Sequence, residues 1–530
     1  MDLTLPPGVS ARDFDNALKA FAGVVGSDWV LDTEADRIAY ADLYAPGSEQ
    51  QWPASAAIAP GSVEEIQQII RIANQYKTPL WTVARGKNLG YGTAAPRLPG
   101  SMVLDLGRMN KIREIDSELG YVVIEPGVSF FDLYEELTRR NSDLMMSVPG
   151  NGWGSVMGNA LDHGVGYTPY GVHANNICGM EVVMPNGELM RTGMGAMAGN
   201  HAAHVFPFNY GPTWDQMFTQ SNFGVVTSMG MWLMPMPETS LELKWDIPEA
   251  DDIGWVIDTL APLKVSGVID QSIFIPSWLG KLAIKGTRAQ FWDKPGAIPS
   301  WRVDELMKEH KIGYWQVAVR LYGDEGIVKA RADVVRKAFS KAAPALECVD
   351  TWWRKGDPVN TMDPSASTLG LPSALPLMMG EWVGGRSAHL GFSPVVPASS
   401  KHVLGQLKRS RELIEQYDLD FYASFTIGGR FCNNINMLMW DRDDQPGTQK
   451  VINLFNDLIR VTREAGYGEY RTHLGWMDSI ADTYDFNNNA MTRFNQVVKD
   501  ALDPNGILSP GKQGIWPTVY QDYSQQGRLG

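Results

Sequence analysis

Cysteine is scarce in this chain, and neither a long hydrophobic run nor an excess of basic residues is present. The three cysteines, Cys178, Cys348 and Cys432, lie far apart without a CxxC motif. That distribution indicates neither a disulfide framework nor a cysteine metal site. No stretch approaches the roughly 18 continuous apolar residues of a membrane span, and the first residues lack the pattern of a signal peptide. We therefore expect a cytoplasmic protein that does not enter a membrane.

Basic residues are outnumbered, because 46 Lys and Arg stand against 60 Asp and Glu and give a net charge of −14. A nucleic-acid partner requires a basic face, and an anionic membrane surface also attracts positive charge, so we expect neither partner. A Walker loop, a GxSxG nucleophile elbow and a CxxCH haem motif are all missing. His201 and His204 have a spacing unlike known ligand sets and no nearby carboxylate, so we predict no metal site.

Glycine is plentiful, and it is concentrated in two stretches. Seven glycines fall between Gly150 and His173. Glycine count alone is typical of a long loop with several turns. The Ser, Asn, Thr and Tyr residues between these glycines suggest a backbone wrapped around a large, flat cofactor with polar edges. The second stretch, residues 85–92, directly follows a predicted strand, where its backbone N–H groups can bind a pyrophosphate.

The order of predicted elements indicates two domains, one of them discontinuous. Residues 56–83 have the pattern of a β-α-β unit, with a capping box at Ser62. Between 239 and 465, strands and helices alternate in two β-α-β halves, which is typical of an α+β domain with helices on one sheet face. After residue 466 the composition is again rich in glycine and tyrosine, as in the N-terminal half. We predict a first domain of residues 1–238 and 466–530, with residues 239–465 inserted as a cap.

Hydrophobic periodicity places further elements along the chain. An amphipathic helix is predicted within residues 1–30, and a hairpin is predicted across Asn186 and Gly187. Further strands are predicted at 102–106, 121–125, 241–247, 268–275, 314–322, 388–394, 421–427 and 434–440. Further helices are predicted at 130–139, 252–260, 327–339, 400–417 and 448–465.

Seven stretches, in this order, carry a resemblance to a known family. They are RGKNLGYGTAAPRLPG at 85–100, GNALDHGVGYTPYGVH at 158–173, GMEVVMPNGELMRTGMGAM at 179–197, FTQSNFGVVTSMG at 218–230, HLGFSP at 389–394, GYGEYRTH at 466–473 and DPNGILSPGKQGIWP at 503–517. Together they resemble the vanillyl-alcohol oxidase and p-cresol methylhydroxylase family of flavoproteins, nearest its bacterial eugenol-oxidase branch. The resemblance implies an α+β, two-domain FAD-binding fold in which the discontinuous first domain binds FAD.

The resemblance also implies that FAD is attached covalently through His389. A lone histidine at the start of an apolar strand is ordinarily a buried structural residue, but His389 begins the motif HLGFSP. Relatives that attach flavin through a tyrosine carry it upstream, where residues 379–382 here read MGEW. The implied cofactor-binding residues are His389, Arg85, Gly86, Lys87, Asn88, Leu89, Gly90, Pro149, Gly154, Ser155, Gly158, Asn159, Gly164, Tyr167, Thr168, Tyr170, Gly171, Asn222, Gly224, Val226, Arg471 and Lys512.

The chemistry implied by the resemblance is oxidation of a para-substituted phenol through a p-quinone methide. Tyr91, Tyr470 and Arg471 match the family's phenolate-binding trio, whose hydroxyls and guanidinium donate to one oxygen and lower its pKa. Expected substrates are 4-alkylphenols, 4-allylphenols, vanillyl-type alcohols or larger lignin-derived phenols. We expect O2 as the electron acceptor, with a cytochrome or other redox carrier protein as the alternative. A homodimer or higher homo-oligomer is also expected.

Four titratable side chains of the family, at three places, are replaced by neutral residues here. Gly150 stands where many of its oxidases have an aspartate, and Asn151 is the nearest polar residue. Ser424 stands where methylhydroxylases have a glutamate, and Asn433 and Asn434 replace paired histidines. Because general-base assistance typically contributes about 100-fold or more in rate, we expect water addition to be weakly assisted and bulkier phenols to fit. The predicted substrate pocket comprises Gly150, Asn151, Ser424, Phe431 and Asn433.

A function of another class stays open at this point, namely a flavin-free glycosidase or binding protein. Glycosidases use paired carboxylates, and the 60 acidic residues make such a pair formally available. No particular pair stands out in the sequence. The colour of the purified protein separates the hypotheses, because a flavoprotein is yellow.

Overall fold

The N-terminal half alternates short strands with amphipathic helices in the computed structural model, which describes residues 3–529. Its strands are β1 (Val30–Leu31), β2 (Ala57–Ile58), β3 (Leu80–Val83), β4 (Met102–Asp105), β5 (Ile112–Asp116), β6 (Tyr121–Ile124), β7 (Leu144–Met145), β8 (Ile177–Val183), β9 (Leu189–Arg191), β10 (Val225–Trp232) and β11 (Met234–Pro235). Its helices are α1 (Ala11–Val25), α2 (Glu34–Ala39), α3 (Val63–Tyr76), α4 (Phe130–Arg139) and α5 (Val156–Leu161).

These strands build two main sheets. The first has the order β1-β2-β4-β3, with β4 parallel to both of its neighbours, as the β-α-β pattern predicts. Helix α3 packs Ile66 and Ile69 into the core. The Ser62 hydroxyl accepts the Glu65 N–H, but the Glu65 carboxylate accepts from Gly61 rather than from Ser62. The predicted capping box is therefore half formed. The second sheet has the order β5-β6-β10-β8-β9 and is antiparallel.

The middle of the chain forms two further sheets covered by helices. Its strands are β12 (Thr239–Ile247), β13 (Ile273–Pro276), β14 (Trp315–Gly323), β15 (Val349–Arg354), β16 (Ser387–Phe392), β17 (Pro394–Pro397), β18 (Ser424–Ile427), β19 (Phe431–Asp441) and β20 (Gly468–Glu469). Its helices are α6 (Ile253–Val265), α7 (Trp278–Leu282), α8 (Arg288–Phe291), α9 (Ser300–His310), α10 (Glu325–Ala342), α11 (Ser400–Gln416) and α12 (Gln445–Glu464). The small sheet runs β14-β12-β15, and the six-stranded sheet runs β13-β18-β19-β17-β20 with β16 also paired to β19.

The C-terminal segment packs back on the N-terminal half. It contains α13 (Met477–Asp482) and α14 (Phe486–Leu502). Beyond them, the Leu80 N–H of β3 donates to Ile507, and the Ser509 N–H donates back to Leu80, both at 2.7 Å. Strand β20 instead pairs with β17, so the first residues after the predicted boundary at 466 hydrogen-bond to the cap. The predicted domain limits stay a prediction.

Several elements differ from the sequence-based expectation for physical reasons. Strands β5 and β15 were not predicted because most of their residues are at least partly exposed, which removes the apolar alternation. The strand predicted at 268–275 begins only at Ile273, because Gln271 turns inward and accepts the Arg320 N–H at 2.6 Å. No helix among residues 3–529 is long and apolar enough to cross a membrane.

Candidate active site at the face of the six-stranded sheet

Strand register decides which side chains share one face of the six-stranded sheet. Residues directly opposite in antiparallel strands point to the same side, and successive residues alternate. His389 and Gly391 of β16 lie opposite Met439 and Met437 of β19. Further along β19, Asn433 lies opposite Thr426, and Ile435 lies opposite Ser424. We call this side, which carries His389, Gly391, Ser424, Thr426 and Asn433, the site face.

The opposite side of the same sheet forms the hydrophobic core of the cap. Ala388, Leu390 and Phe392 alternate with the site-face residues of β16 and are at most 1% exposed. Phe425 and Leu438 occupy the equivalent positions on β18 and β19 and are equally buried. Burial of one side therefore fixes the register that turns the polar residues toward the other.

The glycine-rich loop 85–92 lies directly on the site face. A Cβ on Gly90 would lie 2.9 Å from the His389 carbonyl oxygen and 3.2 Å from its Nε2. A Cβ on Gly391 would lie 2.7 Å from the Tyr91 hydroxyl. Both approaches are closer than real Cβ atoms show, so a side chain at Gly90 would displace His389 and one at Gly391 would displace the Tyr91 hydroxyl.

Burial favours the neutral form of His389, because it lowers the pKa of His389 to about 4. Its buried Nδ1 has no hydrogen-bond partner within residues 3–529. The Tyr44 ring packs edge-on against the imidazole at a centroid distance of 5.0 Å. A neutral imidazole nitrogen with a free lone pair is a competent nucleophile, which suits the covalent attachment predicted for this residue.

Tyr91, Tyr470 and Arg471 come together beside this loop. Arg471 Nη2 donates to the Tyr91 hydroxyl at 3.1 Å. The guanidinium carbon lies 4.3 Å from the Tyr91 ring centre and 5.6 Å from that of Tyr470. Burial raises the pKa of Tyr470, and the Arg471 charge opposes that rise. The arrangement places the Arg471 charge against both tyrosine rings, and the phenolate-binding role of the three residues stays a prediction.

Gly150 faces Tyr167, which was predicted only as a cofactor residue. A Cβ on Gly150 would lie 3.4 Å from the Tyr167 hydroxyl, and the Tyr167 ring lies 5.2 Å from Phe274. Phe274 is opposite Thr426 and so belongs to the site face. Asn151 is engaged locally, because its Oδ1 accepts the Trp153 N–H at 3.0 Å.

Two residues near the site were missed by sequence reasoning. Phe274 was placed in a predicted strand without a role. Tyr422 is 3% exposed, and burial raises its pKa to about 12. Burial also raises the pKa of Tyr167, and the Tyr422 charge adds to that rise. The signal that identifies Tyr422 is alternation, since residues 422, 424 and 426 are spaced by two.

The predicted cofactor segments form a connected cradle. The Ser155 hydroxyl caps α5 by accepting the Gly158 N–H at 2.9 Å, and Asn159 Oδ1 bonds His173 Nδ1 at 2.6 Å. The Gly164 N–H donates to the Asn159 carbonyl, and the Gly171 N–H donates to that of Thr168. These bonds hold residues 155–171 in one defined path.

The remaining cofactor positions fall into two groups. Asn222 Nδ2 donates to the carbonyls of Ser509 and Ile515, both at 2.9 Å, while Lys512 Nζ lies 3.6 Å from Asp162. Six other positions contact the protein itself. Arg85 donates to the Gly127 carbonyl, Lys87 lies over the Trp153 ring, and the Asn88 carbonyl accepts from Tyr91. Gly224 lies against Val182, Val226 lies in β10, and the Tyr170 carbonyl accepts from Asn176. Of the other predicted cofactor residues, Pro149 is buried, Gly154 has open space beside it, Gly86 has a φ of 61° and Leu89 is partly buried; their cofactor role stays a prediction.

Unpartnered polar atoms along these segments fit a large ligand with polar edges. Buried polar side-chain atoms are nearly always hydrogen-bonded, yet five along these segments have no hydrogen-bond partner among the described residues, although one of them, Asp162 Oδ1, forms the ion pair with Lys512. They are Arg85 Nε, Asp162 Oδ1, His173 Nε2, Asn222 Oδ1 and Arg471 Nε. The set mixes donors and acceptors and lines glycine-rich backbone, which fits FAD.

Alternation along β19 places Phe431 on the site face with Asn433, but no contact described within residues 3–529 joins its ring to Tyr91, Tyr470 or Arg471. A Cβ on Gly428 would lie 2.2 Å from the Phe431 ring, so Phe431 packs on its own hairpin turn, opposite Pro397. Asn433 lies on the site face, whereas Asn434 points to the core side, with its Nδ2 3.5 Å from the Ser424 carbonyl. The substrate role of these residues stays a prediction.

Comparison with known proteins agrees with this architecture. Residues 54–193 match the family model of the FAD binding domain, and residues 373–513 match that of the FAD linked oxidases, C-terminal domain. The 4-cresol dehydrogenase [hydroxylating] flavoprotein subunit of Pseudomonas putida is 34% identical over 513 residues, which are 96% of this chain and 97% of that protein.

Two solved structures have nearly the same fold over the whole length. The 4-ethylphenol oxidase from Gulosibacter chungangensis, in its isoeugenol complex, is 35% identical with a TM-score of 0.93, covering 98% of this chain and 100% of that one. A p-cresol methylhydroxylase with substrate bound is 33% identical with a TM-score of 0.92, covering 97% and 99%. The predicted α+β FAD-binding fold is confirmed.

Proposed function

Because the chain belongs to the vanillyl-alcohol oxidase and p-cresol methylhydroxylase family of FAD-dependent oxidoreductases, we propose that it oxidises para-substituted phenols at the benzylic carbon. The observation that carries the proposal is the contact of Arg471 with the Tyr91 hydroxyl, beside Tyr470 and next to the site face. Substrates are 4-alkylphenols, 4-allylphenols, vanillyl-type alcohols or larger lignin-derived phenols.

The chain's own residues hold the substrate as a phenolate. Arg471 supplies a fixed positive charge, and the hydroxyls of Tyr91 and Tyr470 donate to the same oxygen, so all three favour loss of the phenolic proton. When bound, FAD supplies the acceptor for a hydride. As the benzylic C–H bond breaks and two electrons leave with the hydride, the phenolate oxygen donates its electrons into the ring. The substrate is left as a neutral p-quinone methide.

FAD is held by loop 85–92, residues 154–171 and the Lys512 region, with a covalent bond to His389. The unpartnered, neutral His389 imidazole supports this attachment. The Arg85 Nε and Asn222 Oδ1 atoms lack hydrogen-bond partners in the part of the chain that the structure describes, and they are available to the cofactor.

The fate of the quinone methide depends on the neutral positions of the site face. Ser424 and Asn433 carry no charge, and Gly150 carries no side chain. We propose that water adds with little base assistance, so that alkene formation or attack by a nucleophile of the substrate itself competes with hydroxylation. This proposal predicts low incorporation of labelled water into the product of a simple 4-alkylphenol.

O2 is proposed as the electron acceptor, with a redox carrier protein as the second candidate. The second candidate is favoured by the name of the Pseudomonas relative, a dehydrogenase, whereas the Gulosibacter relative is an oxidase. The rate at which O2 reoxidises the reduced flavin separates the two. A cytoplasmic homodimer remains a prediction from the sequence.

One experiment tests the proposal as a whole. Purified protein is mixed anaerobically with 4-ethylphenol, and flavin absorbance is followed; loss of the oxidised-flavin band is expected. After acid precipitation the wild-type pellet stays yellow, while flavin of His389→Ala passes to the supernatant. Colourless protein, or flavin that no para-substituted phenol reduces, would contradict the proposal, and a colourless wild-type pellet would remove the covalent bond only.

A further inference from the structure

A long irregular segment of the cap runs along the candidate site. Residues 355–386 connect β15 to β16 without a strand or an α-helix, and irregular connections longer than about 12–15 residues in a folded domain are commonly functional. The middle of this segment, residues 372–380, reads PSALPLMMG and carries no charge. We call residues 372–380 the strap. The reaction proposed above gives the strap no role.

At its start the strap packs on a loop that has no side chains where the two meet. The Gly152 N–H donates to the Ser373 carbonyl at 2.9 Å, and a Cβ on Gly152 would lie only 2.6 Å from the Pro372 Cβ. A Cβ on Gly150 would lie 3.7 Å from the Pro376 Cβ. The strap therefore bounds the space beside Gly150, a predicted substrate-pocket residue.

At its other end the strap reaches the residue predicted to bind flavin. A Cβ on Gly380 would lie 3.4 Å from His389 Nδ1. Between the two ends, the Met379 methyl group and the Tyr422 ring lie against one position, 3.8 and 3.1 Å from a Cβ on Gly280. The strap thus lies along the site from the predicted substrate pocket to the predicted flavin attachment.

The chain is firmly held just before and just after the strap. Before it, the buried Thr368 accepts from Arg320 Nε at 2.6 Å and from the Tyr322 hydroxyl at 2.7 Å. After it, the buried Trp382 indole donates to Asp420 at 2.9 Å. Both anchors connect the segment to the sheets and helices of the cap.

The strap itself is weakly held. Among the described residues, the bond from Gly152 to Ser373 is the one hydrogen bond that joins residues 372–379 to distant parts of the chain, and their others stay within residues 372–382. Segments with few such bonds open locally at a low free-energy cost. Anchored ends with a weakly held, apolar middle allow the strap to move while the cap stays folded.

We propose that the strap is a cover over the substrate site, which opens to admit the phenol and closes over it. The inference rests on the proposed phenol oxidation and adds the route by which substrate enters. A closed apolar cover excludes water, which strengthens the interaction of Arg471 with a phenolate. Exchange of substrate and product then depends on the fraction of molecules in which the strap is open.

A disulfide that holds the strap closed is the first test. In the double variant Gly150→Cys with Pro376→Cys the two Cβ atoms would lie 3.7 Å apart, within the range of about 3.5–4.5 Å usual for disulfides. Binding of 4-hydroxyacetophenone, whose benzylic carbon has no hydrogen to transfer, is followed in the holoenzyme by stopped-flow flavin absorbance. The association and dissociation rate constants should both fall at least about 10-fold on oxidation and recover with dithiothreitol. Each single variant and wild type, treated in the same way, are the controls.

A substitution that displaces the strap should have the opposite effect. Gly152→Ala places a methyl group 2.6 Å from the Pro372 Cβ, so the strap must move, and the dissociation rate constant should rise about 3-fold or more. Gly23→Ala in α1 is the matched control, because a Cβ there meets nothing within 4 Å; it should match wild type. A changed dissociation constant with unchanged rates of oxidised and displaced variants relative to each other would make the strap a fixed wall and overturn the proposal.

Hydrogen exchange separates this inference from the proposed function. In the holoenzyme without phenol, the amides of residues 374–379 should exchange at least about 10-fold faster than those of β16, and the disulfide should slow them. That result supports opening of the strap even if no phenol reduces the flavin. Exchange as slow as in β16, or ligand rate constants that the disulfide leaves unchanged, overturns the inference while leaving 4-ethylphenol oxidation as a separate result.

Discussion

At the residue scale, the site is charged on one side and neutral on the other. Arg471 lies with Tyr91 and Tyr470 at the proposed phenolate position, while Ser424, Thr426 and Asn433 are polar groups of the site face. In the proposed reaction the charged side acts on the first step, in which the phenol loses its proton before hydride transfer. Ser424, Thr426 and Asn433 offer no carboxylate or imidazole to the proposed step that follows. The proposal therefore assigns phenol binding and product fate to different residues.

Arg471 is the residue whose loss should affect phenolate binding most. Arg471→Met should lower kcat/KM for 4-ethylphenol about 100-fold, since a hydrogen bond from a charged group contributes about 1.5–3 kcal/mol. The variant should recover activity with rising pH, because the phenol then ionises without help. Stopped-flow measurement of flavin reduction across pH 7–10, roughly the range over which a phenol ionises, tests both the loss of activity and its recovery at high pH. Arg12→Met, at an exposed position of α1, should match wild type; a flat pH profile for Arg471→Met would contradict this role.

At the scale of elements, β16 connects the cap core to the site. Alternate residues of this one strand are buried in the core or face the loop 85–92. Packing of this strand in the core therefore fixes the positions of His389 and of Gly391, which contacts Tyr91. A small change on its site side should displace the catalytic groups without weakening the core.

Gly391→Ala tests that connection. Its Cβ would stand 2.7 Å from the Tyr91 hydroxyl, so Tyr91 must move, and we expect kcat/KM to fall at least 10-fold because positioning errors near 1 Å are costly. The melting temperature should change little. Gly405→Ala is the control, since its Cβ on α11 meets nothing within 4 Å and alanine favours helix. Equal activity of the two variants would show that Tyr91 is not held by this contact.

Strand β20 places a buried carboxyl immediately before Tyr470 and Arg471. Glu469 is 4% exposed, its Oε1 accepts the Ser393 N–H at 3.0 Å, and its Oε2 has no partner among the described residues. Burial raises the pKa of Glu469 well above its ordinary value, against smaller effects of Ser393 and Arg471. The folded state therefore binds this proton more tightly than the unfolded state does.

The protonated Glu469 carboxyl makes its full contribution to the free energy of unfolding below the pKa that Glu469 has in the unfolded state. That contribution is lost as pH rises through the higher pKa that Glu469 has in the folded state. The melting temperature of wild type should therefore fall between pH 5 and pH 8. Glu469→Gln should abolish this fall and should have a higher melting temperature than wild type at pH 8. Glu242→Gln is the opposite control, because Glu242 is equally buried but paired with Arg320 at 2.9 Å; it should destabilise at both pH values by about 3–5 kcal/mol. Thermal melts of both variants and of wild type measure these changes. A melting temperature of Glu469→Gln below that of wild type at pH 8 would contradict a protonated Glu469 in the folded state.

At the scale of the whole molecule, local sequence patterns predicted most helices and strands. They did not predict which side of each element faces the site. The loop 85–92, helix α4 and the strand carrying His389 follow from glycine spacing and apolar periodicity. The positions of Tyr422 and Phe274 relative to the site could not be predicted, because β13 pairs with β18, a strand more than a hundred residues later in the chain. β20 is too short for any periodicity, and its pairing to β17 appears only in three dimensions.

The site is assembled from three distant parts of the chain. Tyr91 comes from the N-terminal half, His389 from the cap, and Tyr470 with Arg471 from the residues that follow it. Buried polar contacts join the first and last parts: Asp42 accepts from Thr93 at 2.9 Å and pairs with His473 at 2.7 Å. Docking of the C-terminal segment is therefore a condition for activity as well as for stability.

Arg97 and Asp478 offer the sharpest test of that docking. Arg97 Nη2 donates to Asp478 Oδ2 at 2.7 Å, with side chains 0% and 7% exposed, and Trp516 donates to the other carboxylate oxygen. Asp478→Asn leaves a buried guanidinium without its counter-charge, so the free energy of unfolding should fall by about 3–5 kcal/mol. In the exposed pair of Lys408 with Glu412, 3.9 Å apart, Glu412→Gln should cost at most about 1 kcal/mol. Urea denaturation followed by flavin and tryptophan fluorescence measures both. Equal, small losses would mean that the C-terminal segment docks without this pair, whereas a large loss accompanied by early flavin exposure would establish that the segment closes the site.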